Sequence, residues 1–153
     1  MLIGKSVMGR VDMNVLVVED EKLLNWSLAS SLSKWGFEVQ PVFTGNDALA
    51  QIEKSGFDIV LLDYRLPDLD GLAIARLVRK RQPEAVIFLL TAFQLNELAV
   101  DAGLIDSYFN KPLDFQQLRQ ALRDIPRLRA SEKKTKRRSR SSGKPGASFP
   151  SAT

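Results

Sequence analysis

The sequence predicts an α/β fold, a doubly wound parallel sheet of five strands, on three observations. Apolar runs alternate with segments of helical periodicity five times along the chain. The strand candidates are apolar throughout rather than alternating, as expected of strands covered on both faces. The connections are short, and short βα units join parallel strands by right-handed crossovers that place helices on both sides of a sheet.

Asn14-Val18 is the first such run, β-branched and fully apolar after Asn14. Leu23, Leu24, Leu28, Leu32 and Trp35 then recur at helical spacing, and Gly36 supplies the stop. Phe37-Val42 reads as the second strand, and Pro41 near its end assigns it to an edge, where a missing N–H costs least. Thr44 is placed to cap a helix carrying Ala48, Leu49 and Ile52 and ending at Gly56. Asp58-Leu62 is the third strand. The segment Leu66-Pro67-Asp68-Leu69-Asp70-Gly71 is turn chemistry, and a helix through Ile74, Leu77 and Val78 follows. Pro83 precedes the fourth strand, Ala85-Leu90, after which a shorter helix is expected around Leu95-Ala102. Ile105-Phe109 is the fifth strand. Asp114 then caps a last helix through Leu118, Ala121, Leu122 and Ile125, which Pro126 closes.

With 153 residues, 44% of them hydrophobic, the chain has material for one domain with a real core. It contains no cysteine and no histidine, which excludes disulfides, thiolate zinc sites and Cys- or His-based catalysis. No run approaches the ~18 apolar residues of a membrane span, and Met1 to Arg10 lacks the apolar stretch of a signal peptide. A soluble cytoplasmic protein is the default expectation. The net charge of +4 is unevenly spread: residues 131–153 carry Lys133, Lys134, Lys136, Arg137, Arg138, Arg140 and Lys144 against Glu132, a net +6, which leaves −2 for the rest. The expected division is a folded domain over 12–128 and a basic Ser/Lys/Arg-rich disordered tail over 129–153.

Four strand tips carry polar groups: Glu19-Asp20 after the first, Asp63 after the third, Thr91 after the fourth and Lys111 after the fifth. In an open parallel sheet the C-terminal tips face one crevice, where such sheets bind ligands. A carboxylate such as Asp63 is a competent nucleophile toward phosphorus. Two or three neighbouring carboxylates hold magnesium, which prefers oxygen ligands. Lys111 brings an ammonium for Asp63 and then for a phosphoryl oxygen, and Thr91 brings a hydroxyl donor. Positioning and charge neutralisation are most of what phosphoryl transfer asks of a protein. Singly, each residue has a plainer reading: a turn-forming aspartate, acidic residues favourable at a helix N-terminus, a capping threonine, a solvated lysine. All four fall at the same end of different strands, and as a set they point to phosphorylation of Asp63.

These residues in this order resemble the receiver domain of two-component response regulators, over about residues 12 to 128. The resemblance implies a flavodoxin-like (βα)5 fold with strand order 2-1-3-4-5. It further implies that Asp63, in Leu62-Asp63-Tyr64-Arg65-Leu66-Pro67, is the phosphoacceptor, and that Asp20 ligates Mg2+ directly with Glu19 as its acidic partner. The backbone carbonyl of Arg65 would complete the protein ligands. Thr91 matches the switch hydroxyl, with small Ala92 leaving room beside it, and Lys111-Pro112 matches a lysine whose following peptide bond is typically cis. Tyr108 matches the aromatic that rotates inward once Thr91 moves, and it equally reads as a half-buried strand residue. Glu19 stands where the family often has Asp, and the stretch from Thr91 to Lys111, with Gly103-Leu104-Ile105-Asp106, is slightly shorter than usual. Arg65 and Phe93 fall at positions that tune attack of water on the acyl phosphate; their bulk implies shielding and a long-lived phosphorylated form. Lys22 to Leu28 is similar to receivers of enhancer-binding transcription regulators.

The implied function is phosphoaspartate acceptance in a two-component system or phosphorelay. Asp63 takes phosphate from a histidine kinase or histidine phosphotransfer protein, and contacts with an unidentified effector then switch. The receiver catalyses its own phosphorylation and dephosphorylation, with no external substrate turned over, so enzyme is a marginal label. The resemblance also allows a homodimer through the face of the fourth helix, fifth strand and last helix. No helix-turn-helix pattern follows residue 130, so direct sequence-specific transcription control is not expected.

Two alternatives are weaker. Asp68-Leu69-Asp70-Gly71-Leu72 superficially matches the nucleophile motif of haloacid-dehalogenase-like phosphatases, but the strand has ended before it, and the segment lacks the ligand spacing of a calcium loop. Lys133 to Arg140, six cations in eight residues, suits non-specific contacts with nucleic-acid phosphates, yet holds no aromatic to stack on bases.

Overall fold

The computed structural model describes residues 13–93 and 100–125. The elements run β1 (Asn14–Val18), α1 (Lys22–Lys34), β2 (Glu38–Val42), α2 (Gly45–Lys54), β3 (Ile59–Asp63), α3 (Gly71–Arg81), β4 (Val86–Thr91), β5 (Ser107–Asn110) and α4 (Phe115–Arg123). Of the expected helix around Leu95-Ala102, the residues up to 99 lie outside the described residues and 100–102 are not helical. The basic tail with its expected disorder lies outside the described residues too, as does the dimer face insofar as it needs that helix.

All strand pairs are parallel, in the order β2-β1-β3-β4-β5, the doubly wound flavodoxin-like arrangement. Pro41 sits in β2 at the sheet edge, as its missing donor requires. Because β2 and β3 flank β1 on opposite sides, right-handed crossovers put α1 on one face and α2 with α3 on the other. Leu16, Val18, Val60, Leu62, Ile87 and Leu89 form the core on the second face with Ala48 and Ile52 of α2 and Ile74, Ala75 and Val78 of α3. Their strand neighbours Val15, Val17, Ile59, Leu61, Phe88 and Leu90, equally buried, point the other way.

Several boundaries move. β3 and β4 each run one residue further than expected and take in Asp63 and Thr91, because Tyr64 N donates to Leu90 O and Lys111 N to Thr91 O, extending the ladder past the apolar runs. β5 begins only at Ser107, since a turn closed by Leu104 N to Asp101 O, with Gly103 at φ 81°, occupies the residues before it. α2 stops at Lys54, ahead of Gly56.

On α1 the buried stripe is Asn25, Leu28 and Leu32. Leu23 is 69% exposed, for it lies five positions before Leu28 and so far round the helix from that stripe. Trp26 shares its exposure, also at 69%. Gly36 takes φ 100° after α1, the left-handed stop its position predicts. Thr44 caps α2 through Asp47 N. α3 is capped by Asp70, whose carboxylate accepts from Leu72 N, and its first residue, Gly71, lies so close to the Asp63 carbonyl that a Cβ has no room there. α4 belongs to a second compact unit that starts at Asp114. Asp114 caps it, accepting from Gln116 N and Gln117 N, and Leu118 and Leu122 are buried.

Candidate functional site

The parallel register brings the tips together: Val18 pairs with Leu62, Asp63 with Leu90 and Thr91 with Asn110. Each polar group follows an apolar stretch, so ordinary strand packing delivers it to the crevice. Glu19 is 0% exposed, Asp63 5% and Thr91 1%, whereas Asp20 faces solvent. Carboxylate oxygens of Glu19, Asp20 and Asp63 lie within 4.8 Å of one another, an all-oxygen donor set able to hold a hard divalent cation.

Lys111 Nζ stands between the two buried acids. It donates to Asp63 Oδ2 at 3.0 Å and meets Glu19 Oε1 at 3.0 Å as a charge contact outside hydrogen-bond alignment. The remaining oxygens are held by the backbone: Glu19 Oε2 accepts from Glu21 N at 2.9 Å, and Asp63 Oδ1 from Arg65 N at 3.2 Å. One ammonium thus serves two of the three carboxylates, and Asp20 has no contact with it. Burial, reinforced by the Asp63 charge, pushes the Glu19 carboxyl up to about 7, against the lowering effect of the Glu21 amide and Lys111. Burial also raises Asp63, with Asp20 adding to it and Lys111 opposing. Burial draws Lys111 down, but the negative charges of Glu19 and Asp63 beside it outweigh that and push it up. Excess negative charge held out of water is the defining property of the cluster.

Beside Asp63 a small cavity of about 110 Å³ is lined by Asp63, Tyr64, Arg65, Thr91, Ala92, Phe93 and Lys111. Thr91 Oγ1 accepts from Phe93 N at 2.9 Å, and Asn110 Nδ2 donates to Phe93 O at 3.1 Å. The Phe93 and Tyr64 rings stand nearly perpendicular with centroids 5.6 Å apart, and the Arg65 guanidinium lies 4.9 Å from the Phe93 centroid. Arg65 and Phe93 therefore meet at the mouth of the cavity. Tyr108 is half-buried and pairs with Leu89, which puts it on the sheet face shared by Leu89 and Thr91. The Lys111-Pro112 bond is cis. Of the seven residues singled out from the sequence, Glu19, Asp20, Asp63, Arg65, Thr91 and Lys111 lie on the C-terminal strand ends or the turns leaving them, and Tyr108 lies within β5.

Two residues escaped the sequence reading. Asn25, fully buried, donates from Nδ2 to Glu19 O at 2.9 Å and to Val42 O at 2.8 Å, fixing the turn that presents Glu19 and Asp20. The signal was present, since Asn25 is the one polar member of the stripe it forms with Leu28 and Leu32. Asp68, read only as a turn former, spends both carboxylate oxygens on α2, and no local pattern announces that.

The sequence matches the family model described as response regulator receiver domain over residues 15–123. It is 38% identical over 119 residues to the transcriptional regulatory protein ZraR of Salmonella typhimurium, a match covering 76% of this chain and 26% of that protein, about a quarter of its length. Among solved structures, the response regulator TrrA of Thermotoga maritima, in complex with Mg2+ and BeF, is 29% identical with a TM-score of 0.67, covering 74% of this chain and 98% of that one. A CheY-like receiver domain from Methanospirillum hungatei, 24% identical, shares the fold at a TM-score of 0.73 over 80% of this chain and 99% of that one. The acidic pocket at the strand tips and these matches agree: the chain belongs to the response regulator receiver domain family of two-component signalling.

Proposed function

We propose that this receiver accepts a phosphoryl group on Asp63, from a histidine kinase or histidine phosphotransfer protein and with Mg2+, and thereby switches its contacts with an effector. The observation that carries this reading is the geometry around Asp63: a buried carboxylate with Lys111 at 3.0 Å, two further carboxylates within 4.8 Å and a small cavity alongside. Glu19, Asp20 and Asp63, with the Arg65 carbonyl, would hold the ion; their hard oxygen donors suit magnesium. When bound, it neutralises the carboxylates and the incoming phosphoryl oxygens. The likeness to TrrA, solved with Mg2+ and BeF, supports the same occupancy here.

In the transfer an Asp63 carboxylate oxygen bonds to phosphorus as the P–N bond of the donor phosphohistidine breaks, and the ring nitrogen leaves with the electron pair. Lys111 already sits on Asp63 and follows the negative charge onto a phosphoryl oxygen. To offer its hydroxyl proton to another oxygen, Thr91 rotates away from Phe93 N, and Tyr108, on the same face, takes up the space released. Phe93 and Arg65 shield the product from water. The working domain spans 12–128 with the basic tail beyond it, in the cytoplasm. The family match favours this reading over nucleic-acid binding by Lys133 to Arg140.

Incubation with Mg2+ and acetyl phosphate, followed by intact-mass measurement, tests the assignment. The wild type gains one phosphate and Asp63→Asn none; equal labelling of the two would remove Asp63 from the mechanism.

A further inference from the structure

The turn that leaves the acceptor strand is secured twice. At its base Arg65 and Asp70 form an isolated antiparallel bridge, and Gly71 N donates to Tyr64 O at 2.8 Å. At its tip Asp68 reaches a different element: Oδ1 accepts from Gly45 N and Oδ2 from Asn46 N, each at 2.8 Å. These are the leading amides of α2, where the positive end of the helix dipole favours a carboxylate. The next amide, Asp47 N, is taken by Thr44 Oγ1, so the two caps divide the helix start between them. Leu69 seals the junction, its Cβ and Cδ1 standing 2.7 Å from where a Cβ on Gly45 would lie. The two amides hold the Asp68 carboxyl below its usual range, in keeping with a committed anion.

We propose that Asp68 is a positioning residue for the metal site: by pinning the tip of the turn to α2, it holds the Arg65 carbonyl where a divalent cation needs it. The inference rests on the phosphoacceptor reading above, in which that carbonyl is a ligand. Asp68 is not itself a ligand, since both its oxygens face α2 amides. A turn pinned at base and tip presents its carbonyl already ordered, whereas one pinned only at the base must be ordered by the ion at the expense of affinity. Coupling is reciprocal, so the ion in turn tightens the Asp68 clamp on α2.

Calorimetric titration of the full chain with Mg2+ alone tests this, with thermal melting in parallel. Asp68→Ala raises the Mg2+ dissociation constant roughly fivefold or more, the lower range of measured couplings between sites. Thr44→Ala, which uncaps the same helix but leaves the tip attached, leaves the constant within about twofold. Asp68→Asn, keeping one acceptor oxygen, falls between wild type and Asp68→Ala, and it carries the test should the alanine variant not fold. Wild-type affinity in Asp68→Ala and Asp68→Asn would overturn the inference while leaving the metal site in place. So would an equal loss in Thr44→Ala, which would mean that fraying of α2 is responsible. A wild type that binds no Mg2+ would bring down the functional reading and this inference with it.

Discussion

At the N-terminal ends of the strands nearly every charge has an answer; at the C-terminal ends the charges outnumber their answers. Arg79 of α3 donates to the carbonyls of Leu104, Pro83 and Ala85 and pairs with Asp106 at 2.6 Å, while Asp106 also accepts from Ile87 N. Gln82 bonds Phe57 N, Ile52 O and Ser55 O, and Asp58 takes Asn14 N. Opposite them, Glu19, Asp20 and Asp63 crowd within 4.8 Å of one another, with Lys111 pairing Glu19 and Asp63. The first end ties helices to strands. The second stores electrostatic repulsion that only a cation or a change of protonation relieves. Stability and chemistry are thus spatially separated in one small sheet, and substitutions at either end should show it.

The largest effect expected is chemical. Asp63→Asn abolishes phosphate incorporation by intact mass, whereas Arg79→Ala labels like the wild type; impaired labelling in Arg79→Ala alone would break the division. Next comes the dependence of stability on pH without metal. Glu19 has a folded value of about 7 against an ordinary 4.5, so between those values the folded state binds more protons than the unfolded one. Stability therefore falls as pH rises through that window, by about 3 kcal/mol in total, with nothing further lost above it. The raised Asp63 acts in the same direction. Urea denaturation across this range in metal-free buffer measures the slope. Glu19→Gln should flatten most of it, and an unchanged slope would clear Glu19 of responsibility.

Arg79→Ala should cost about 2 kcal/mol at neutral pH, because it strands the half-buried Asp106 carboxylate and frees three carbonyls. A loss within error in urea melts would show that the N-terminal end is less firmly tied than its bonds suggest. The smallest effect is on the lifetime of the phosphorylated form. Edge-on aromatic and cation–π contacts are each worth about 1 kcal/mol, so Phe93→Ala should speed loss of the phosphate mass roughly fivefold. An unaltered decay would mean that the Arg65–Phe93 contact shields nothing.

How much of this was legible in the residues follows the same contrast. The strand tips were readable because an apolar run ending in a carboxylate, hydroxyl or lysine is a local signal, and the parallel topology then gathers those ends. The edge position of β2 was equally readable from Pro41. Partnerships between elements distant in sequence were not. Nothing near Arg79 announces Asp106, and nothing in the turn after Asp63 announces that Asp68 would reach α2. The exposure of Leu23 and Trp26 was hidden for another reason: leucine spacing alone does not reveal that Asn25 takes the inward position.

The missing side chain at Gly71 has a mechanical meaning. Most helices rest on their sheets through a layer of side chains that can change rotamer and absorb small displacements. Here the first turn of α3 lies directly on the carbonyl of Asp63, with no room for even a methyl group between them. Nothing compliant separates the two backbones, so a shift of the strand tip toward α3 cannot be taken up by repacking and must move the helix bodily.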